Sequence, residues 1–585
     1  MDARELAGSI DTVPRHLLIW RDGPAALPRL LAQSTLGRLQ DEERLLLSGI
    51  PPTRPAIDEV EHESRSESRD RWRHNAATLV SWHAEFGHMS AAEDPPTIEP
   101  RPKRHSGRRR QRGDGRRPVR VADYESAVEA SSSWWELDPI RLGLRTGDMT
   151  VRRSDGRHVW IHNTRRPEIE ALDLILGYVT VNDAPPAEWA TSSNSTTSRL
   201  DPIDSWFHAR RLAPPDAPGL GPRHPKAFDL MNRFPVALRT RAWRHTEARL
   251  IDQGTTIASD TDLGGITFAD ARTCYSFLLS QLHLNELGAF HFGTPEALLW
   301  GIRREHLARA LASRVDRDAA EAFIRMLTFV TGRSPLSAPL IPNDGKFLIP
   351  SEIVSPIGYE RTLLRAASAD PSIAGRLGNA LGRRSSRWSE RLRAVPGSQV
   401  AEGVKVRDAG GRTLGDLDQI AWDARRRLLV VFETKWPVDA ATLDESYKTD
   451  AQFSKGASQL VRLRDAIRGG AAVSWPPGFT IPTDLAGIRT SWWVGSAQQL
   501  DSRDINFPDI RTTSLRLVEQ LLPADHLDDL LERLTNFPLP REGIDFEMAQ
   551  QTVRVEALSI HYPAIQMIGE RPTPPSNRRT RHGWT

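Results

Sequence analysis

Five apolar residues run without interruption from Leu428 to Phe432. The run is short and partly β-branched, which is the pattern of a strand buried on both faces of a sheet. Upstream, Leu414 to Trp422 mixes apolar and polar positions at short range, and Asp423 to Arg427 is a polar turn, so the two runs predict a β-hairpin with its turn at 423–427. Asp450 to Arg468 carries Leu460, Leu463 and Ile467 at helical spacing and stops at Gly469 and Gly470, while Arg489 to Gly495 reads as a further strand.

The rest of the chain divides by the same patterning. Residues 1–120 read as a helical region, with helices over Leu27 to Leu47 and Trp72 to Phe86, interrupted by charged linkers at Pro51 to Arg71 and Glu93 to Arg120. Residues 121–183 read as a small α+β unit: a helix over Tyr124 to Ser132, then a hairpin over Asp148 to His162 turning at Asp155-Gly156. A Pro/Ser-rich linker is expected over 184–227. A helical domain follows at 228–369, with helices opened by Thr267 and by Thr294-Pro295-Glu296, a third over Arg317 to Val330, and a hairpin turning at Asn343-Asp344-Gly345. After a domain at 370–500 come a C-terminal α/β extension at 501–567, with one strand expected over Thr552 to Leu558, and a disordered basic tail at 568–585.

Composition narrows the class. A chain of 585 residues exceeds what one core supports, and 39% hydrophobic with 26% charged residues is the make-up of a soluble globular protein. Cys274 is the single cysteine, which excludes a disulfide framework and any Cys-rich zinc site; in its apolar helical setting it reads as a small buried hydrophobe. No run is long enough to span a membrane and the N-terminus lacks a signal-peptide pattern, so a cytoplasmic location is expected. The formal charge of +3 is mild, but the run containing Arg108, Arg109, Arg110 and Arg112 is strongly basic and reads as a phosphate-binding arm or a basic linker.

Chemistry concentrates on the hairpin. Glu433 and Lys435 stand two apart at the end of the apolar strand, and Asp416 and Asp418 share that spacing on its partner, so each pair projects from one face. Ionised carboxylates at the edge of an apolar core are costly unless paired or holding a metal. Carboxylate oxygens are the ligands Mg²⁺ prefers, and a neighbouring Lys suits the charge that develops in phosphodiester hydrolysis. Only seven of the 78 basic residues are Lys, so a Lys at 435 is a specific choice of a compact, titratable ammonium.

Gly-Asp-Leu-Asp, a turn, an apolar strand and then Glu-Thr-Lys resembles the PD-(D/E)XK nuclease superfamily, over less than a quarter of the 585 residues. The resemblance implies an α/β nuclease core of restriction-endonuclease-like type, a mixed sheet flanked by helices, preceded by mainly helical N-terminal regions in a multidomain α+β chain. It implies Asp418 and Glu433 as ligands of Mg²⁺, with Mn²⁺ as a substitute, and Lys435 as the catalytic lysine. Glu390 on a preceding helix, Asp416 and Gln459 are implied as accessory residues, although Leu463 stands where the stricter Gln-x-x-x-Tyr helix has Tyr. The implied activity is a metal-dependent nuclease acting on DNA, in defence against foreign DNA or in repair, with protein partners of such a complex. The alternative is a catalytically inactive, nuclease-like scaffold that binds nucleic acid and recruits partners.

Overall fold

The computed structural model describes residues 2–35, 72–86, 119–172, 236–292, 299–435, 443–496 and 509–568, with short gaps inside these ranges. The linkers read at Pro51 to Arg71 and 184–227, the run with Arg108, Arg109, Arg110 and Arg112, and the tail from Gly569 lie outside the described residues. The fold is mixed α/β in a multidomain α+β chain, and it divides into two compact units. One comprises Met1–Arg145, Ser195–Ala374 and Val553–Leu558; the other comprises Thr146–Asn194, Gly375–Thr552 and Ser559–Thr585.

In the first unit, helix 72–86 and a helix over Val121–Thr146, longer than the Tyr124 to Ser132 segment, pack around Trp20, Leu30, Trp72, Leu79 and Trp82. The helix Phe268–Phe292 begins where Thr267 caps it, its Oγ1 accepting from the Asp270 N–H at 3.1 Å. Cys274 on that helix is fully buried, and burial pushes its thiol up to about 12, so it fills space as an inert hydrophobe. The helix expected to open at Thr294-Pro295-Glu296 and run through Arg314 is found over Arg304–Ala312; it is corrected at Trp300–Arg303, which is a strand, and residues 293–298 lie outside the described residues. Trp300 and Ile302 alternate inward along it, and it pairs antiparallel with Lys346–Ile349, whose own partner is Ile341–Asn343. The turn between the last two uses Asp344 (φ 45) and Gly345 (φ 71), as the Asn-Asp-Gly sequence predicts.

In the second unit the first sheet strands are β1 (Met149–Asp155) and β2 (His158–Asn163), an antiparallel hairpin with Asp155 opposite His158. The strands numbered β3 to β5 are those of the first unit, in chain order Trp300–Arg303, Ile341–Asn343 and Lys346–Ile349. Then come α1 (Ser385–Arg393), β6 (Gln399–Arg407), β7 (Thr413–Asp423), β8 (Leu428–Thr434), α2 (Leu443–Arg468), β9 (Ala472–Val473), β10 (Arg489–Ser496), β11 (Ile510–Ser514), α3 (Leu515–Leu521) and α4 (Leu527–Thr535). Strands β6 to β11 form one six-stranded sheet in the order β11-β10-β8-β7-β6-β9. Its β6, β7 and β8 are consecutive and antiparallel, whereas β10 and β11 run parallel to β8 after the crossover through α2. β12 (Phe546–Val555) and β13 (Leu558–Met567) are two strands where one was expected over Thr552 to Leu558; β13 pairs parallel with β2 to give a second sheet, β1-β2-β13-β12.

The unbroken apolar run of β8 has a direct explanation: all seven residues are buried because the sheet is covered twice. Leu429 and Val431 pack with Phe453, Ala457 and Leu460 of α2. Leu428, Val430 and Phe432 pack on the other side with Trp388 and Leu392 of α1, Val518 of α3 and Leu530 of α4. At the tip of the hairpin Asp423 Oδ1 accepts from the Arg426 N–H at 3.0 Å and Arg427 takes φ 49, which reverses the chain.

The seam between α1 and the sheet is filled to contact. A Cβ at Gly495 would lie 2.8 Å from two ring atoms of the fully buried Trp388. Gly495→Ala is therefore expected to destabilise this unit by about 1–3 kcal/mol through overpacking, read as a lowered urea midpoint; an unchanged midpoint would refute the close packing.

Candidate active site

The site is built where β7 and β8 separate. Their ladder runs from Asp423 opposite Leu428 to Gln419 opposite Phe432. One pair further on, the ladder gives way to a side chain: the Thr434 N–H donates to Asp418 Oδ2 at 2.9 Å, with Thr434 Oγ1 3.4 Å from the same oxygen. Beyond the fork β8 stays joined to its other neighbour, the Lys435 N–H donating to the Gly495 carbonyl at 2.8 Å.

Strand alternation then fixes the faces. Glu433 follows Leu429 and Val431 onto the α2 side, and Asp418, held on the Thr434 N–H, lies close enough for its charge to act on the Glu433 carboxyl. Glu433 is 1% exposed. Its Oε1 accepts from Lys435 Nζ, and its Oε2 accepts from Gln459 Nε2 of α2 at 3.1 Å. Burial pushes the Glu433 carboxyl up to about 7, the nearby Asp418 charge adds to the rise, and the Lys435 ammonium opposes it. Asp418 is raised too, first by burial, against the pull of the Thr434 N–H and Lys435.

The structure thus gathers Asp418, Glu433, Lys435 and Gln459. Asp416 sits beside them, its charge raising both carboxyls, and is itself paired across the β6–β7 ladder with Lys405. Glu390 is corrected: it is exposed on α1, whose Trp388 and Leu392 pack against the opposite face of the sheet. From that helix it is Ser389 that reaches the sheet, donating to Gln419 Oε1.

Two contributors escape sequence reasoning. Lys405 becomes relevant only through the cross-strand register that sets it opposite Asp416. Gly456 lies inside α2, where a Cβ would meet Lys435 Cε at 2.9 Å and both Glu433 Cγ and Val494 Cγ1 at 3.3 Å, so glycine lets the helix approach the carboxylate and the lysine. The sequence signal it carries is an isolated glycine within a helical pattern. Among the described residues no group of three or more His, Cys, Asp or Glu is placed to hold a metal ion.

Compared with protein-family models, with curated proteins and with solved structures, the chain matches none. No described helix is long and apolar enough to cross a membrane.

Titration of Glu433 should be visible in stability. Its folded value, about 7, lies above its ordinary 4.5, so its contribution is complete below about 4.5 and is lost as pH rises through about 7. In buffer free of divalent cations, the stability of the wild type relative to Glu433→Gln should fall by roughly 3 kcal/mol between about pH 4.5 and 8, followed by urea unfolding at each pH. A difference that does not vary with pH would contradict the buried, repelled carboxyl.

Proposed function

We propose that the second unit hydrolyses phosphodiester bonds of nucleic acid, DNA in the first instance, as a metal-dependent nuclease of the PD-(D/E)XK kind. The observation that carries the reading is a nearly inaccessible glutamate at a strand fork, beside a second acid whose charge acts on it and bound by a lysine two residues on. The strand order supports it as well: three antiparallel strands, a crossover helix and a parallel fourth strand, the arrangement the sequence resemblance implies.

Asp418 and Glu433 suit a hard divalent cation such as Mg²⁺ or Mn²⁺. Both offer carboxylate oxygens, both are raised first by burial, Glu433 further by the charge of Asp418 and Asp418 by that of Asp416, and Asp418 Oδ1 accepts no hydrogen bond from the described residues. When bound, such a cation supplies concentrated positive charge against the scissile phosphate. The protein's own groups do the rest. Gln459 holds the Glu433 carboxylate in one rotamer, and the Thr434 N–H holds Asp418. Lys435 Nζ, steadied on Glu433 Oε1, has further N–H donors for a phosphate oxygen or the attacking water, and offsets charge in the pentacovalent state.

One observation favours the second reading, an inactive nuclease-like scaffold that recruits partners. Both Glu433 oxygens already accept hydrogen bonds, from Lys435 and Gln459, so the trio is closed on itself.

Cleavage assays separate the two. Purified chain incubated with plasmid DNA and Mg²⁺ should nick or cut it, and Asp418→Asn or Lys435→Ala should slow this by about 10²–10³-fold. Wild-type cleavage by the double variant, or none by the wild type with any divalent cation, sinks the nuclease reading. Gly456→Ala tests the geometry more finely. The added methyl favours the helix by about 1 kcal/mol but must displace Lys435, so stability should hold or rise while cleavage falls about tenfold or more. Parallel losses of both would point to mere misfolding.

A further inference from the structure

Helix α2 lies across the sheet at the end where β7 and β8 part. Phe453, Ala457, Leu460, Leu463 and Ile467 bury its inner side against the strands. Gly456 sits against Lys435 and Val494, near the ends of β8 and β10, and further along Leu463 sits against Gly415 of β7, so the helix axis runs from one strand end to the next. Gln459 marks the side of α2 that looks out over the fork, because its Nε2 donates to Glu433 Oε2.

Positions four before and three after a helical residue share its side. Around Gln459 those positions hold Lys455 and Arg462, both exposed, so two cations bracket the residue that holds the buried carboxylate. Lys455 adjoins Gly456 over the ends of β8 and β10. Arg462 leans over β7, its Nη2 donating to the Leu414 carbonyl at 3.3 Å, which uses one N–H of its guanidinium. Neither is ion-paired among the described residues, whereas Asp465, the acid nearest Arg462 in sequence, is off this side of the helix and binds Arg464 at 3.0 Å. Lys435 adds a third cation at the fork itself.

Exposed cations that neutralise no acid of their own, held at a fixed interval by a helix, suit a ligand of repeated negative charge. Lys455 and Arg462 are seven residues apart, a rise of about 10 Å at about 1.5 Å per residue. A stacked nucleic-acid strand covers that length in about three nucleotides, at roughly 3.4 Å per phosphate. We infer that α2 is the track for the strand that is cut: the strand lies along the helix with one phosphate at Lys455, one at Arg462 and the scissile phosphate between them at Lys435. The inference rests on the reading of the fork as a nuclease centre and adds to it the path of the substrate. Lys455 and Arg462 position that substrate and take no part in breaking the bond.

Binding of the full chain to a fluorescein-labelled DNA duplex of roughly 20 base pairs, followed by anisotropy in EDTA at several salt concentrations, tests it. Lys455→Gln and Arg462→Gln should each weaken binding about fivefold or more at low salt and flatten the slope of log affinity against log salt by about 0.9, one phosphate contact each. Lys455→Arg should keep both affinity and slope. Arg468→Gln removes the same charge from the same helix about two and a half turns beyond Gln459, on the opposite side, and should leave the slope unchanged. In cleavage with Mg²⁺, Lys455→Gln and Arg462→Gln should raise KM about fivefold or more with kcat within about twofold, whereas Lys435→Ala lowers kcat. A slope unchanged in both variants overturns the inference, and so does an equal flattening by Arg468→Gln, which would mean diffuse attraction to a basic chain. Cleavage that needs Asp418 while both variants keep the wild-type slope and KM removes the track alone. Slopes flattened in both variants, with no cleavage by the wild type under any divalent cation, remove the nuclease reading alone and leave α2 as a binding surface.

Discussion

The second unit is organised around a carboxylate in a place where water cannot reach it. Glu433 follows five buried apolar residues on β8 and is itself 1% exposed, an environment in which an isolated charge is strongly unfavourable. Three features make it tolerable. Lys435 and Gln459 take its two oxygens, and Gly456 lets α2 approach closely enough for Gln459 to do so. The rest of the domain follows from keeping β8 central: two faces to cover demand α2 on one side and α1, α3 and α4 on the other, and two ladder edges demand β7 and β10.

Much of this was legible in the sequence because local and global preferences agree there. The run Leu428 to Phe432, the polar turn before it and the spacing of Asp416, Asp418, Glu433 and Lys435 all follow from short-range rules, and the hairpin has its turn where those rules put it. Misreadings occurred where one pattern serves two structures. Trp300 to Arg303 fits the start of a helix as well as it fits a strand, and only the partner Lys346–Ile349, more than forty residues on, decides the matter. Glu390 has the right chemistry on the right helix, but which way a helix turns its polar side depends on Trp388 and Leu392 finding the sheet, and that is a tertiary fact.

Long-range register accounts for the remaining gaps. Lys405 meets Asp416 across β6 and β7, and His561 meets Trp160 across β13 and β2, pairs separated by eleven and about four hundred residues respectively. Nothing in the residues near Trp160 announces that a histidine from the far end of the chain will lie beside it. Such pairings are invisible to any window of sequence because they are set by strand order.

The energetic argument about Glu433 also bears on why the trio exists. A buried ion pair is rarely the most stable way to fill a space, and apolar residues of similar volume often do better. β8 is already an apolar strand, so continuing it with another aliphatic residue at 433 would remove a raised carboxyl, its repulsion with Asp418 and the need for a glycine in α2. The sequence instead keeps two mutually repelling acids and one of only seven lysines at the point where the strands part. A raised carboxyl beside a second acid, held by contributions from three separate elements, is a cost to folding for which the proposed metal-dependent chemistry gives a reason.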